Sequence, residues 1–418
     1  MKAIIERSEP NGKIFAPASK SQTHRALICA SLAEGKSLIV SPLYCDDTEV
    51  TVNVLRACGI GISGHNDGFE IQGGRFSTPS KELYCWESGT TLRFMTGFCS
   101  LVGRSRLTCG NSLKRRPIGP LVDSLKELGV DCRCEGGYPP VEVGKKGIEG
   151  GETTLPGDVS SQFLSSLLLV SPFATKSVIR LTTPLQSKPY VSMTLEMQKR
   201  FGIKIETYRK VYSISRQNYI PATVNIEGDW SSASFLLAAG ALAGEVEIKN
   251  LNFASSQGDK SILEVLKEMG AEIEIDQGSA FIEKKRLKSI NVDVSNCPDL
   301  FPVVCVLSAS AKGVSRITGI ERLKIKESNR IEAMREGLEK MGVKMGVDEK
   351  NGEVSIDGGA ISGETIDPRG DHRIAMAFAV LGLIAEGKTI IRDTECVSKS
   401  FPDFWERLKE LNCEVVNE

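Results

Sequence analysis

A short pattern recurs six times along this chain of 418 residues, and each copy joins an apolar helical run to a strand-like segment. The turns between helix and strand begin at Gly35, Gly103, Thr175, Gly244, Gly313 and Gly387, so successive copies start 68 to 74 residues apart. So constant a period indicates a sixfold structural repeat. The chain must therefore fold into six similar units.

Each unit reads as strand, helix, strand, helix and a pair of strands. The first helix is apolar on nearly all sides, as in residues 163–169 and 235–242, which predicts that it packs against other helices with sheets outside it. The second helix is amphipathic, as in residues 120–128 and 329–341. The sequence therefore predicts an α/β protein with six βαβαββ repeats, three in each of two lobes.

The boundary between the lobes is predicted near residues 219–222, where the fourth unit begins. Because the strand at residues 2–6 precedes the first complete unit, we assign it to the C-terminal lobe. The predicted N-terminal lobe is residues 15–221, and the predicted C-terminal lobe is residues 1–14 with 222–418. We expect the active site in the cleft between them and a hinge where the chain crosses twice.

The composition argues against several classes of protein. Lys and Arg number 52 and Asp and Glu 53, without the basic excess typical of nucleic-acid binding. The longest apolar stretches, residues 235–244 and 374–385, are shorter than the roughly 20 residues that cross a membrane. The first residues lack the apolar segment of a signal peptide, and the 12 cysteines lack zinc-site spacing. We therefore expect a cytoplasmic protein with free thiols, no bound metal and no nucleic-acid or membrane partner.

Polar clusters stand at the predicted start of the first helix in every unit. The first cluster holds Lys20, Ser21 and Arg25, with Arg25 one helical turn beyond Ser21 on the same face. A helix start exposes unpaired N–H groups and the positive end of the helix dipole, so several of them converging would bind anions. Taken alone, this cluster could equally be a salt-bridged surface turn.

Further donors stand at other predicted helix starts. Arg115 and Arg116 precede a helix that begins with proline, and Ser160, Ser161 and Gln162 begin another. The arginines fit either an anion site or solvated surface charge. The serines fit either substrate binding or simple helix capping.

The C-terminal half carries the stronger chemical signals. Lys326 and Arg330 are four residues apart, so both cations can face one way with Glu327 beside them. Arg373 and Lys399 add further cations. The three histidines show no metal-binding spacing.

Nine motifs, in order, resemble those of the 5-enolpyruvylshikimate-3-phosphate (EPSP) synthase family. The resemblance covers residues 13–405, and the motifs read SKSQTHR, SGTTLR, RRPIG, SSQFL, SKPY, NCPD, KESNR, GDHRIAM and SKSFPDF. The resemblance implies a two-lobed inside-out α/β barrel. It also implies transfer of the enolpyruvyl group of phosphoenolpyruvate to the 5-hydroxyl of shikimate 3-phosphate, for aromatic amino acid biosynthesis. The family needs no cofactor, and we expect a monomer.

The resemblance also implies which residues bind and react. Shikimate 3-phosphate would be bound by Lys20, Ser21, Arg25, Ser160, Ser161, Gln162, Ser187, Tyr190, Asp299 and Lys326. Phosphoenolpyruvate would be bound by Lys20, Gly89, Arg116, Gln162, Arg330, Arg373 and Lys399. Asp299 would accept the proton of the 5-hydroxyl, Glu327 would exchange a proton with the methylene carbon, and Lys20 would stabilise charge on both substrates.

Three positions depart from the usual pattern of the family. Glu87 stands where many members have Asn, which puts a carboxylate beside an anionic substrate unless it is paired or points away. Asn329 replaces a frequent Asp. Arg322 stands where some members use Asn to contact shikimate 3-phosphate, so we leave it out of the predicted site.

Two other functions fit part of the same sequence pattern. A UDP-N-acetylglucosamine enolpyruvyl transferase shares the fold, but that family has Lys-Asn where this chain has Lys20 and Ser21. An anion-binding repeat protein without catalysis would keep the cations, yet it has no need for Asp299 and Glu327 together. Phosphate release with each acceptor separates the three functions.

Overall fold

The computed structural model describes residues 1–418 and contains 24 strands and 12 α-helices. The chain forms two compact units. The N-terminal unit is residues 18–226, and the C-terminal unit is residues 1–17 with residues 227–418. None of the helices combines the length and apolar character that crossing a membrane requires.

The elements are numbered in chain order. The chain opens with two strands of the C-terminal unit, β1 (Lys2–Ile5) and β2 (Asn11–Phe15). The N-terminal unit continues through α1 (Lys20–Leu32), β3 (Gly35–Val40), α2 (Asp46–Ala57), β4 (Gly61–His65), β5 (Gly68–Gly73), β6 (Leu83–Tyr84), α3 (Gly89–Val102), β7 (Ser105–Thr108), α4 (Gly119–Glu127), β8 (Cys132–Glu135), β9 (Tyr138–Val143), β10 (Gly151–Leu155), α5 (Ser161–Val170), β11 (Lys176–Leu181), α6 (Lys188–Arg200), β12 (Glu206–Tyr208), β13 (Val211–Ser215) and β14 (Thr223–Asn225).

The remainder of the chain completes the C-terminal unit. It runs through α7 (Trp230–Ala243), β15 (Glu245–Lys249), α8 (Ile262–Glu268), β16 (Ile273–Asp276), β17 (Ser279–Glu283), β18 (Asn291–Asp293), α9 (Phe301–Ser310), β19 (Val314–Thr318), α10 (Arg330–Lys340), β20 (Lys344–Asp348), β21 (Glu353–Asp357), β22 (Thr365–Ile366), α11 (His372–Gly382), β23 (Thr389–Arg392), α12 (Phe404–Glu410) and β24 (Val415–Asn417).

Each unit contains three four-stranded sheets of one topology. The strand orders in the N-terminal unit are β14-β3-β5-β4, β6-β7-β9-β8 and β10-β11-β13-β12. In the C-terminal unit they are β2-β15-β17-β16, β18-β19-β21-β20 and β22-β23-β1-β24. In every sheet the first pair is parallel and the other two pairs are antiparallel. The six sheets are therefore the six repeats that the sequence predicted.

The first helix of each repeat lies inside its unit. In the N-terminal unit α1, α3 and α5 are buried along nearly their whole length, and α3 packs against α5. In the C-terminal unit α7, α9 and α11 are buried in the same way and pack against one another. Helices that are apolar on all sides cannot face water, so the sheets cover them from outside. This is the inside-out α/β arrangement expected from the sequence.

Strand pairing moves both predicted boundaries toward the C-terminus. Strand β2 pairs along its length with β15. The first segment of the C-terminal unit is therefore residues 1–17, where the sequence predicted residues 1–14. Strand β14 pairs with β3, so the N-terminal unit extends to residue 226 instead of residue 221. The first strand of a repeat is thus not always paired within the unit that holds the following helix, a point that local sequence patterns do not reveal.

Candidate active site

The predicted site residues form one group in each unit. The N-terminal cluster comprises Lys20, Ser21, Arg25, Gly89, Arg116, Ser160, Ser161, Gln162, Ser187 and Tyr190. The C-terminal cluster comprises Asp299, Lys326, Glu327, Arg330, Arg373 and Lys399. Most members of each cluster lie at helix starts or in the turns that precede them.

Helix α1 begins at Lys20, directly after its N-cap Ser19. Lys20 Nζ lies 2.9 Å from Asp47 Oδ2, and the two side chains are only 15% and 10% exposed. Because Asp47 lies in the first turn of α2, this ion pair joins the starts of two helices. It also holds the predicted catalytic ammonium in one place.

Arg25 is buried and bonded to neutral acceptors only. Its Nε donates to Thr194 Oγ1 at 2.8 Å, its Nη1 to the Ser21 carbonyl at 2.7 Å and its Nη2 to the Tyr190 carbonyl at 2.9 Å. Burial lowers the pKa of this guanidinium to about 10, which still leaves it charged at neutral pH. A buried cation without a carboxylate partner is unfavourable. An anionic ligand would supply the missing charge.

Helix α3 begins at Gly89, which faces two guanidinium groups. A Cβ at Gly89 would lie 2.5 Å from Arg93 Nη1 and 3.1 Å from Arg116 Nη1. At the start of α5, Gln162 Nε2 donates to Thr90 Oγ1 at 3.0 Å. Gly89, Arg116 and Gln162 are thus brought together as predicted. Arg93, which sequence reasoning missed, belongs with them and lies one turn into α3 in the quoted motif SGTTLR.

The remaining predicted residues of this cluster lie at the starts of α5 and α6. Ser160 is the N-cap of α5, and its Oγ accepts a hydrogen bond from the Gln162 N–H at 3.3 Å. Ser161 is the buried first residue of that helix. Ser187 precedes α6 in the left-handed region, with φ of 52°. Ser160 therefore has the capping role that the sequence left open, and capping leaves its second lone pair and its proton available.

Glu87, the first departure from the family pattern, is held by donors of its own. Its carboxylate accepts hydrogen bonds from the Ser112 N–H at 3.2 Å, from the Leu113 N–H at 3.0 Å and from the Ser112 hydroxyl. These donors stand at the start of the 3-10 turn Leu113–Arg115. Three hydrogen bonds to neutral donors therefore stabilise the carboxylate in its place.

In the C-terminal unit one buried guanidinium joins three carboxylates. Arg330, the first residue of α10, is 1% exposed. Its Nη1 lies 2.8 Å from Asp299 Oδ1, its Nη2 lies 2.9 Å from Glu327 Oε2 and its Nε lies 2.9 Å from Asp371 Oδ2. The two predicted catalytic carboxylates are thereby fixed on one side chain.

Asp299 is surrounded by three cations. Besides Arg330, Arg373 Nη2 lies 3.1 Å from its Oδ2 and Lys326 Nζ lies 3.5 Å from its Oδ1. Burial favours the neutral acid, but Arg373, Lys326 and Arg330 together outweigh it and hold the pKa of Asp299 well below its usual value. The carboxyl group is therefore ionised, and in this arrangement it binds a proton only weakly.

Two aspartates that sequence reasoning missed support this cluster. Asp371 is the N-cap of α11, fully buried, and accepts from the Arg373 N–H at 3.0 Å and from Ser328 Oγ at 3.2 Å. Its place before a helix in the GDHRIAM motif was a usable signal. Asp259 is buried and accepts from the Ser231 hydroxyl. Burial first, and Asp299 second, raise the pKa of Asp259 to about 7.

Lys399 and Arg322 each donate a hydrogen bond to a backbone carbonyl. Lys399 Nζ donates to the carbonyl of Gly370, the residue before the N-cap of α11, at 3.1 Å, so the structure brings it to the same helix start as Arg373. Arg322 is largely buried, and its Nη2 donates to the Ser295 carbonyl at 2.7 Å.

Known proteins match this chain over its full length. Residues 5–408 match the family model described as EPSP synthase (3-phosphoshikimate 1-carboxyvinyltransferase). The chain is 43% identical to the 3-phosphoshikimate 1-carboxyvinyltransferase of Dehalococcoides mccartyi and 40% identical to that of Methanocorpusculum labreanum, with 100% of each chain covered. It is 27% identical to the solved EPSP synthase from Acinetobacter baumannii, with a TM-score of 0.83 and 100% of both chains covered. The chain therefore belongs to the EPSP synthase family, which confirms the resemblance found in its nine motifs.

Proposed function

We propose that the chain transfers the enolpyruvyl group of phosphoenolpyruvate to the 5-hydroxyl of shikimate 3-phosphate and releases phosphate, a step in aromatic amino acid biosynthesis. The observation that carries the proposal is the C-terminal cluster, in which Arg330 holds both Asp299 and Glu327. A protein that only binds anions needs the cations, but two carboxylates beside them would weaken binding. Acid and base chemistry accounts for their presence.

The N-terminal cluster supplies binding donors for two anionic substrates. Arg25 is a buried cation with neutral partners, and Arg116 lies against Gly89 at the start of α3. Guanidinium groups and helix starts both favour phosphate and carboxylate groups. We assign Lys20, Ser21, Arg25, Ser160, Ser161, Gln162, Ser187 and Tyr190 to shikimate 3-phosphate, and Lys20, Gly89, Arg116 and Gln162 to phosphoenolpyruvate.

The reaction has two steps, an addition and an elimination, and each step involves two proton transfers. The 5-hydroxyl oxygen attacks C2 of phosphoenolpyruvate and gives its proton to Asp299, while C3 takes a proton from Glu327. The resulting tetrahedral adduct then loses phosphate by cleavage of the bond between C2 and the phosphate oxygen, while C3 returns a proton to Glu327 and Asp299 gives its proton to the departing phosphate. Lys20 stabilises the charge that develops on both substrates.

The charges around Asp299 explain how a weakly basic carboxylate becomes a base. Arg330 and Arg373 are assigned, with Lys399, to phosphoenolpyruvate, and Lys326 is assigned to shikimate 3-phosphate. When the two anions bind, they compete with Asp299 for these cations. The proton affinity of Asp299 therefore rises as each substrate binds and is highest when both are present, which links base strength to occupancy.

Residues of both clusters would bind the two substrates. This part of the proposal is supported by the family resemblance and by the fact that each unit carries only part of the predicted residues. We further propose a monomer that acts in the cytoplasm, which the 12 free cysteines favour because thiols persist in a reducing compartment.

The test combines acceptor choice with two amide variants. Phosphate release should require shikimate 3-phosphate and should not occur with UDP-N-acetylglucosamine. In Glu327→Gln, solvent deuterium should enter the product methylene much more slowly while shikimate 3-phosphate still binds. In Asp299→Asn, turnover should fall and shikimate 3-phosphate should bind more weakly.

The matched control is Glu332→Gln, which changes a carboxylate of the same helix start that pairs with Arg335. It should leave turnover and deuterium exchange unchanged. Wild-type turnover and exchange in Glu327→Gln would move the acid/base role to another group, with Lys20 the next candidate.

A further inference from the structure

A buried chain of hydrogen bonds runs through the N-terminal unit beside the proposed site. His24 Nδ1 lies 2.8 Å from Thr51 Oγ1, Thr51 Oγ1 lies 2.7 Å from Thr91 Oγ1, and Thr91 Oγ1 lies 2.7 Å from Ser88 Oγ. None of the four residues is more than 1% exposed. The proposed reaction uses none of these side chains.

The chain of hydrogen bonds connects three helices at their starts. His24 lies one turn after Lys20 on α1, and Thr51 lies one turn after Asp47 on α2. Thr91 lies in the first turn of α3, and Ser88 is the N-cap of that helix. The connected elements are therefore the two that form the Lys20–Asp47 ion pair and the one that begins with Gly89.

The backbone of α2 ties the same elements together. The Asp47 carbonyl oxygen lies 3.3 Å from Thr51 Oγ1 and 3.4 Å from Thr91 Oγ1. Asp47 thus contacts Lys20 through its side chain and α3 through its main chain. A shift of α3 relative to α1 would have to break several buried hydrogen bonds at once, which is unfavourable in a medium of low dielectric constant.

The number of hydroxyl protons determines which residue is the donor in each of these hydrogen bonds. Thr91 Oγ1 lies 2.7 Å from Ser88 Oγ and 3.4 Å from the Asp47 carbonyl, and it donates its proton to the closer acceptor, Ser88. Because a hydroxyl has one proton, Thr51 then donates to Thr91, and His24 Nδ1–H donates to Thr51. His24 is therefore a neutral imidazole with its proton on Nδ1. Burial first, and then the charges of Lys20 and Arg25, lower the pKa of His24 well below its usual value, which agrees with a neutral ring.

We propose that His24, Thr51 and Thr91 are positioning residues that hold the start of α3 in register with the start of α1. The inference rests on the proposed function, in which Lys20 and Arg25 bind shikimate 3-phosphate and the turn around Gly89 binds phosphoenolpyruvate. The hydrogen-bond chain then sets the spacing between the two substrate subsites. Productive binding depends on such spacing because small displacements reduce the rate of a reaction between two bound molecules.

The first test compares two buried threonines of α3. Thr91→Val removes the hydroxyl that links Thr51 to Ser88, and the KM for phosphoenolpyruvate should rise about tenfold. The affinity for shikimate 3-phosphate should stay within about twofold, because α1 is untouched. Thr96→Val is the matched control, since Thr96 is equally buried and its hydroxyl bonds only to the Leu92 carbonyl of its own helix, at 2.7 Å. This variant should leave both constants unchanged.

The second test measures the protonation state of His24 by NMR. The chain has three histidines, so a protein labelled with ¹⁵N-histidine gives a simple spectrum, and His24→Gln identifies the signals of His24. Between about pH 5 and 8 the ring should stay neutral with Nδ1 protonated, whereas an ordinary histidine titrates in that range. Thr51→Val should shift the Nδ1 signal, and Thr96→Val should leave it in place.

The outcomes separate this inference from the proposed function. A wild-type protein that does not transfer an enolpyruvyl group to shikimate 3-phosphate would refute the function and leave the spectrum as a test of the hydrogen-bond chain alone. An active wild type in which Thr91→Val and Thr96→Val have the same KM for phosphoenolpyruvate would overturn the positioning role. A His24 that carries its proton on Nε2, or that titrates near pH 6.5, would overturn the assigned direction.

Discussion

The two clusters compensate their buried cations in opposite ways. In the N-terminal cluster Arg25 bonds to a hydroxyl and two carbonyls, so its charge has no counterpart in the protein. In the C-terminal cluster Arg330 bonds to Asp299, Glu327 and Asp371. The first arrangement can take up an anion without losing an existing ion pair. The second must exchange one carboxylate partner for another.

This difference suggests a division of labour under the proposed function. A site that lacks negative charge gives affinity, because an arriving phosphate meets an uncompensated cation. A site in which charges are already paired gives less affinity, but it keeps carboxylates at the reacting atoms and changes their proton affinity when a ligand arrives. Binding and proton transfer would then depend mainly on different units.

The largest difference between the units should appear in the free energy of unfolding when Arg330 and Arg25 are each replaced by methionine. Arg330→Met leaves three carboxylates without their shared cation and should lower the free energy of unfolding of the C-terminal unit by about 3–5 kcal/mol. Arg25→Met removes a buried charge that has only neutral partners, so the free energy of unfolding of the N-terminal unit should stay constant or rise. Urea denaturation of the unliganded protein, followed by a probe in each unit, measures both.

Inorganic phosphate supplies the control for this pair. It should stabilise the N-terminal unit of the wild type and do so less in Arg25→Met, because a ligand that binds only the folded state adds to stability. A loss of stability in Arg25→Met as large as that in Arg330→Met would show that the two cations are compensated alike, and the contrast between the clusters would be wrong.

The next effect concerns the space in front of the N-terminal arginines. Gly89→Ala would place a methyl group 2.5 Å from Arg93 Nη1 and 3.1 Å from Arg116 Nη1, so at least one guanidinium must move. We expect the KM for phosphoenolpyruvate to rise about tenfold or more, with binding of shikimate 3-phosphate nearly unchanged. Steady-state kinetics and calorimetry provide the two numbers.

Gly64→Ala is the matched control for this substitution, because no atom lies within 4 Å of the added methyl group. If Gly89→Ala weakened only shikimate 3-phosphate, the assignment of the α3 start to phosphoenolpyruvate would be incorrect.

A smaller effect should appear in the pH dependence of stability, with opposite signs in the two units. His24 has a pKa well below 6.5 in the folded state, so the N-terminal unit loses stability as the pH falls below about 6.5, by up to about 1.4 kcal/mol per pH unit. Asp259 has a pKa raised from 3.8 to about 7, so the stability it contributes is present at low pH and is lost as the pH rises through 7. Asp299, with its lowered pKa, contributes stability that is lost below about pH 3.8.

Unfolding measured between about pH 4 and 7 should show these slopes. His24→Gln should flatten the slope of the N-terminal unit, and Asp259→Asn should flatten that of the C-terminal unit. His65→Gln, at an exposed position of β4, should change neither. Equal slopes in both units would mean that the two buried groups do not differ as described.

The smallest effect should come from Asn329→Asp, which restores the residue frequent in the family. Asn329 Oδ1 accepts the Glu332 N–H at 3.4 Å as the N-cap of α10, and a carboxylate can do the same. We expect a change below about 0.5 kcal/mol in the free energy of unfolding and an unchanged kcat. A marked loss of activity would show that the amide has a role beyond capping.

The sequence could predict the sixfold repeat, the buried or amphipathic character of the helices and the positions at which the helices start. Each of these features depends on a local pattern. The amphipathic stretch at residues 120–128 became α4, and that at 329–341 became α10, each with ends within two residues. The partners of Arg330 could not be predicted, since Asp299 and Asp371 come from distant turns that only tertiary packing brings together. Such contacts leave no periodic signal in the chain.

The boundaries of the two units and the environment of Glu87 also depend on tertiary packing, so local sequence patterns could not predict them. Strands β2 and β14 have sequences typical of the start of a repeat, and nothing local indicates which sheet each will join. A sequence likewise shows a carboxylate at position 87 but not the hydrogen bonds from Ser112 and Leu113 that stabilise it. The unfavourable interpretation of Glu87 was reasonable from the motif and incomplete without the fold.

The strand order of one sheet has a consequence for how the protein is made. Strand β1 lies between β23 and β24, so it cannot find its neighbours until residues 389–417 have been synthesised. At about 5–20 residues per second this wait lasts on the order of tens of seconds. The N-terminal unit, a single continuous segment that includes every strand of its three sheets, can fold during that time. The N-terminal unit can therefore fold before the C-terminal unit, and β1 pairs only after all strands of the N-terminal unit have been synthesised.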